Sequence, residues 1–291
     1  MAAIPAIAIS VVLILPCKSY SQTQLVHERT WGDFHGAYRI AVAPQGWMYV
    51  ADREANLLIR IDPKSDRRTV AGGAGWGTET FDQPSGIVTD GLSVLVADYG
   101  NHRIQRFDLG LHFVSAFETR ASSEESQAKF GFPLDVGISS QSELFVLERE
   151  NNRVVKFFRD NSFKIAFGAT GTSGQRLRNP RSMCVGSSDE VYVLDQSNLL
   201  EFDAFGTFVR SIPLGDSTEP LSFRVADSAF IILRPNAVQW YSHAGSLIEE
   251  ILLKNVPADV PIRDPQDITV SGDKLFLLTL KKLLVFQVVK N

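Results

Sequence analysis

The chain has 291 residues, is 44% hydrophobic and carries a formal net charge of −4. That apolar content is ample for a buried core, and one large domain accommodates the length. The slightly acidic balance gives none of the basic footprint of a nucleic-acid-binding domain, so nucleic acid is not among the expected partners.

The N-terminal segment differs in composition from the rest of the chain. Ala2–Pro16 is almost wholly apolar, and Ser19 and Ser21 are small residues at the −3 and −1 positions before Gln22. This pattern predicts a secretory signal peptide over residues 1–21 and an exported, periplasmic or extracellular domain over residues 22–291. The apolar run is short for a membrane crossing, so no integral span is expected once it is removed. Pro16 stands where a lipobox carries a small residue, which argues against a lipid on Cys17. Without this segment Cys184 is alone, and no intramolecular disulfide is expected. At a mid-strand position where other units carry mostly small residues, Cys184 reads as a buried small hydrophobe.

Downstream, Leu25–Trp31 reads as a strand with no neighbour of its own, and a repeated pattern then begins. Val96–Asp108 reads VADYGNHRIQRFD, and Ala51–Asp62, Leu147–Phe158 and Leu194–Asp203 are variants of it. Each copy follows a proline or its substitute by 14 or 15 residues: Ala37 with Asp52, Pro84 with Asp98, Pro133 with Glu148, Pro180 with Asp195. Weaker copies pair Pro220 with Arg234 and Pro265 with Thr279, making six units spaced 39 to 50 residues apart. Within a unit, short apolar or alternating runs are bounded by turn residues, as in Ile87–Thr89, Val94–Ala97, Ile104–Phe107 and Phe113–Phe117. Period-two runs of this length are strands, and four per unit is the blade of a β-propeller.

The run from proline through apolar strand, turn, VAD, NHR and apolar-x-x-apolar-Asp resembles the NHL repeat. The predicted fold is therefore all-β, a six-bladed β-propeller of four-stranded antiparallel blades. The last unit supplies only three strands, ending at Val285–Val289. Leu25–Trp31 is expected to complete it and close the ring, which removes an exposed sheet edge.

The resemblance implies little about chemistry, since such propellers serve as binding platforms, as sensors and, in one branch, as metal-dependent lyases. That branch gathers several histidines on a central metal. Here His27, His35, His102, His112 and His243 show no ligand-like spacing, and His102 is simply the middle letter of the repeat's Asn-His-Arg. Gly72–Gly77 precedes no helix and reads as a loop between blades, not a phosphate cradle. No catalytic, metal or cofactor-binding residue is assigned, and no cofactor is expected.

The deviations from the repeat lie two residues after the proline, where the family pattern has glycine. That column reads Arg39, Gly86, Asp135, Ser182, Ser222 and Asp267, and it is expected to ring one mouth of the central channel. Arg53, Tyr99, Arg149 and Gln196, from the turns between second and third strands, should reach the same face, with Arg181 beside them. Arg39, Arg53, Tyr99, Asp135, Arg149, Arg181 and Asp267 are the candidate ligand-binding residues. Arginines with tyrosine suit an anionic or carbohydrate group. The structural alternative pairs Arg39 with Asp267 across the closure between the first and last blades.

Three functional classes remain open. The expected one is a secreted or periplasmic non-catalytic binding module or scaffold that recognises a protein, peptide or glycan on one loop face. The others are a metal-dependent lyase or lactonase of the propeller type and a structural envelope component.

Overall fold

The structure, a computed structural model, describes residues 23–119, 127–171, 174–215, 218–226 and 228–290. The expected signal segment and Cys17 lie outside the described residues.

Six four-stranded antiparallel sheets form the molecule. The first blade is β2 (Ala37–Val42), β3 (Met48–Asp52), β4 (Leu57–Ile61) and β5 (Arg68–Gly72). The second is β6 (Pro84–Thr89), β7 (Ser93–Asp98), β8 (Arg103–Asp108) and β9 (Phe113–Phe117), and the third β10 (Pro133–Ile138), β11 (Leu144–Glu148), β12 (Arg153–Phe157) and β13 (Phe163–Phe167). The fourth comprises β14 (Pro180–Val185), β15 (Val191–Asp195), β16 (Asn198–Phe202) and β17 (Phe208–Pro213). The fifth comprises β18 (Ser222–Ala226), β19 (Ala229–Leu233), β20 (Ala237–Tyr241) and β21 (Leu247–Leu252). The sixth runs β22 (Pro265–Ser271), β23 (Lys274–Thr279), β24 (Lys282–Lys290) and then β1 (Thr23–Gly32), so the chain's two ends share one blade. Among the described residues no helix is long and apolar enough to cross a membrane.

Closure by the N-terminal strand follows the expected pairing. Leu25 lies opposite Val288 and Trp31 opposite Leu283, with a bulge between His27 and Arg29. The bulge accommodates two polar residues where β13 carries Phe163 and Ile165. β1 also reaches both neighbouring blades: Trp31 Nε1 donates to Asp66 Oδ1 at 3.1 Å, and Thr30 Oγ1 to Asp259 Oδ1 at 2.6 Å.

Burial changes with radius. Every residue of the second strands β3, β7, β11, β15 and β19 is buried, because these strands pack against a neighbouring blade on each face. The outer strands β5 and β9 are exposed along much of their length. The core is accordingly split into six clusters, each shared by two adjacent blades. The cluster joining blades six and one contains Trp31, Phe34, Ile40, Val50, Phe276 and Val285.

The repeat motif itself is spent on structure. In the first, second and fourth blades the carboxylate that ends the second strand turns back onto the chain entering that blade, while Glu148 of the third accepts from Asn151 and Arg153. Asp52 accepts from the backbone N–H of His35 at 2.7 Å and of Gly36 at 2.8 Å. Asp195 accepts from Asn179 N at 2.6 Å, and Asp98 from Asp82 N at 2.8 Å. In the second blade Asp98 also takes Arg103 Nε at 2.8 Å, and Arg103 passes on to the carbonyls of Trp76, Gly77 and Thr80. His102 Nδ1 accepts from Phe132 N at 3.0 Å, its ring 4.2 Å from that of Phe132, so it fastens one blade to the approach of the next. In the fifth blade Arg234 replaces the carboxylate and reverses the polarity: it donates to the carbonyls of Leu214 and Thr218 instead of accepting from N–H groups.

Candidate functional site

The six innermost strands line the central channel, and five of them begin with a bulge. In β2, β6, β10, β14 and β22 the register slips between the proline, or Ala37, and the residue two positions on. The intervening residue has no partner across the strand pair, and its side chain is re-aimed. Tyr38, Ser85, Leu134, Arg181 and Gln266 occupy this position, and Leu221 is its counterpart ahead of β18. Ser85 is buried, its hydroxyl donating to the Pro133 carbonyl at 2.6 Å. The other five line a cavity of about 620 Å³ at the strand-start mouth of the channel, together with Arg39, Arg53, Tyr99, Arg149, Asn179 and Pro180.

Five of the seven candidate residues therefore come together: Arg39, Arg53, Tyr99, Arg149 and Arg181. Asp135 and Asp267 do not join them. Both lie buried beneath the floor, with Asp135 in the wall of a narrower cavity of about 180 Å³ deeper in the channel. Gln196 is also absent from the lining. The bulge is the reason: it turns the residue after the proline, Ser85 excepted, toward the mouth and leaves the next one, apart from Arg39, inside the ring.

Arg39 forms the floor and is only 2% exposed. Its guanidinium lies 4.3 Å from the centre of the Tyr38 ring, and its terminal nitrogens reach the Tyr38 and Arg181 carbonyls at a long 3.3 Å. Arg39 Nε has no hydrogen-bond partner. Burial opposes the Arg39 charge, but Tyr38, Asp267 and Asp135 outweigh it and hold the group above its ordinary pKa. Above the floor, Arg53 sits between two aromatic rings, 5.0 Å from Tyr38 and 5.4 Å from Tyr99, with Nη2 donating to Gln83 Oε1 at 3.0 Å. Arg181 is ion-paired with Glu219, and Arg149 is exposed. Among the described residues no Asp or Glu lines the cavity.

The alternative pairing of Arg39 with Asp267 is not made as an ion pair. Asp267 accepts instead from Arg224 Nη2 at 2.8 Å, from Ile40 N at 3.0 Å and from Ile268 N at 2.9 Å. Asp135 accepts from Val136 N and Met183 N, each at 3.0 Å. Burial pushes the Asp135 carboxyl up to about 6, against the pull of Arg39 and Arg224. Cys184 also lines the inner cavity, half-buried, and packs against the core cluster between blades four and five; burial raises its thiol.

Two residues that matter here are not singled out by the sequence reading. Tyr38 lies in the column after the proline, where its aromatic character is the available signal. Arg224 is the charged member of a column otherwise made of Ala41, Val88, Gly137, Cys184 and Thr269.

The histidines are dispersed. His112 pairs with Asp108 on the surface at 2.8 Å, and His27 packs on Phe286. Among the described residues, no three His, Cys, Asp or Glu side chains gather as a metal-binding set. The donor set that the lyase branch implies is therefore not assembled by these residues.

Comparison with known proteins agrees with the architecture. Residues 81–107 match the family model of the NHL repeat. No curated protein matches the sequence. Among solved structures, a virginiamycin B lyase from Staphylococcus aureus is 13% identical, with a TM-score of 0.62 over 92% of this chain and 100% of that one. A gluconolactonase from Xanthomonas campestris is 12% identical, with a TM-score of 0.66 over 92% and 90% of the two chains. The PQQ-bound aldose sugar dehydrogenase from Streptomyces coelicolor is 13% identical, with a TM-score of 0.60 over 92% and 99%. At these identities the likeness is one of fold alone. The chain carries an NHL repeat and is built as a six-bladed β-propeller.

Proposed function

We propose that this propeller is an exported binding module that recognises a protein, peptide or glycan in the cavity over its channel mouth. The observation that carries the reading is a division of labour. Repeat residues such as Asp52, Asp98, Arg103 and His102 are engaged within the scaffold. Arg53, Tyr99 and Arg149 line a cavity of about 620 Å³; the side chains of Arg53 and Tyr99 touch that framework only at Gln83 and Phe132, and Arg149 is exposed. Recognition commonly resides on loops held by a rigid scaffold, in concave sites of a few hundred Å³.

The test is a screen of purified residues 22–291 on glycan and peptide arrays, repeated with Arg53→Ala/Arg149→Ala. A ligand bound by the parent and lost in the folded double variant supports the reading. Retention by the double variant, or stoichiometric metal together with turnover of a lactone, overturns it.

A further inference from the structure

We infer that the group seated at the channel mouth is a carboxylate, held edge-on by Arg39 and Arg53 with Arg149 at the rim. This rests on the reading of the cavity as a binding site.

The guanidinium groups have only part of their surface left to offer. Arg39 lies over Tyr38 at 4.3 Å, and Arg53 is held between Tyr38 and Tyr99 at 5.0 and 5.4 Å. Stacking occupies the flat faces and fixes the orientation of the groups, leaving their N–H edges as the remaining valence. Those edges are under-used. Arg53 makes a hydrogen bond to Gln83, while Arg39 makes two long ones and leaves Nε, buried in a residue 2% exposed, without a partner. A planar pair of oxygens is the acceptor that matches a guanidinium edge.

The protein does not supply that acceptor. Among the described residues no carboxylate lines the cavity, and the two beneath it are engaged: Asp267 by Arg224 and two backbone N–H groups, Asp135 by two backbone N–H groups. With both ionised, Asp135 and Asp267 balance Arg39 and Arg224, and Glu219 balances Arg181. The uncompensated charge is then that of Arg53 and Arg149, which suits a ligand with one or two negative charges and not a polyanion. Leu134, Leu221 and Pro180 give the rest of the ligand an apolar wall, in a cavity of about 620 Å³. That volume is in the range of small-ligand sites.

A carboxylate reaches such a site on an acidic sugar or at a peptide C-terminus, and calorimetry at low ionic strength separates the two. The probes are digalacturonic acid and its dimethyl ester, and the tripeptide N-acetyl-Gly-Ala-Ala and its amide. The expected result is that one acid binds and its neutral counterpart binds at least about tenfold more weakly. Arg53→Gln and Arg149→Gln, each with a melting temperature within a few degrees of the parent's, should weaken the acid by a similar factor. Equal binding of acid and neutral form, binding of neither acid, or binding of inorganic phosphate in preference to both acids would overturn the inference. A neutral probe that binds the parent and is lost in both variants would sink the carboxylate while leaving the cavity a binding site.

Discussion

Arg224 and Asp267 form the ion pair that locks the ring near its closure. Arg224 Nη2, from β18 of the fifth blade, donates to Asp267 Oδ2 in β22 of the sixth at 2.8 Å. The same nitrogen reaches the Ile40 carbonyl in the first blade at 3.2 Å, and Ile40 N returns a bond to Asp267 at 3.0 Å. Three blades thus meet at one buried carboxylate. Arg224→Ala should cost about 2–4 kcal/mol, because Asp267 would stay buried with only its backbone donors. Urea unfolding measures this, and a loss below about 1 kcal/mol would assign the pair a negligible part in closure.

Closure along the outer rim depends on β1. Leu25 and Trp31 are buried against blades five, six and one, and each contributes roughly 1.5–3 kcal/mol as an upper figure. Removal of residues 22–31 should lower the melting temperature by about 10 °C or more. It should also leave β24 as an open edge, so the shortened chain is expected to self-associate. A monomer with an unchanged melting transition would contradict both expectations.

The repeat staples and the mouth arginines should respond oppositely to truncation. Arg103→Ala removes bonds to Asp98 and to three carbonyls of the connection before β6. The cost should be about 3 kcal/mol or more, with faster amide exchange through Gly73–Thr80. Arg149→Ala touches no such network and should stay within about 0.5 kcal/mol of the parent. Arg53→Ala loses one hydrogen bond to Gln83 and two ring contacts and should cost about 1 kcal/mol. Equal destabilisation by Arg103→Ala and Arg149→Ala would mean that the rim arginine is part of the scaffold.

The fold is legible in the sequence because its determinants are local and repeated. Alternating strands, turn residues and the Asp98–Arg103 spacing each encode a contact made within one blade or with the chain just before it. Five mouth residues are legible for the same reason: repeat columns map onto radius and height in a propeller. The bulge after each proline is not legible. A bulge changes which of two adjacent columns faces the mouth without changing residue type, so the columns alone give Tyr38 no role and set Asp135 and Asp267 one layer too high. The partner of Asp267 is hidden for a different reason. Arg224 and Asp267 belong to different blades and different columns, and their meeting depends on ring geometry that no single repeat contains.

The buried carboxyl of Asp135 gives the scaffold a pH dependence of defined sign. Its folded value of about 6 lies above the ordinary 3.8, because burial outweighs the help of Arg39, of the Met183 N–H, of Arg224 and of the Val136 N–H. The folded state therefore binds the proton more tightly than the unfolded chain does. The stability this group contributes is fully present below pH 3.8 and is lost as pH rises through about 6. The loss is at most on the order of 3 kcal/mol. Surface carboxyls such as Asp62 and Asp160, lowered by neighbouring hydrogen bonds, act in the opposite direction at lower pH, so the parent's raw profile mixes the two. Asp135→Asn isolates the contribution. The amide accepts only one of the two backbone N–H groups, which lowers stability by a roughly constant amount, but it does not titrate. The stability of Asp135→Asn relative to the parent should therefore rise between about pH 4.5 and about pH 7.5, as the parent alone loses its proton. Parallel profiles across that interval would show that Asp135 titrates alike in the folded and unfolded chain, and that the arginines around it offset its burial in full.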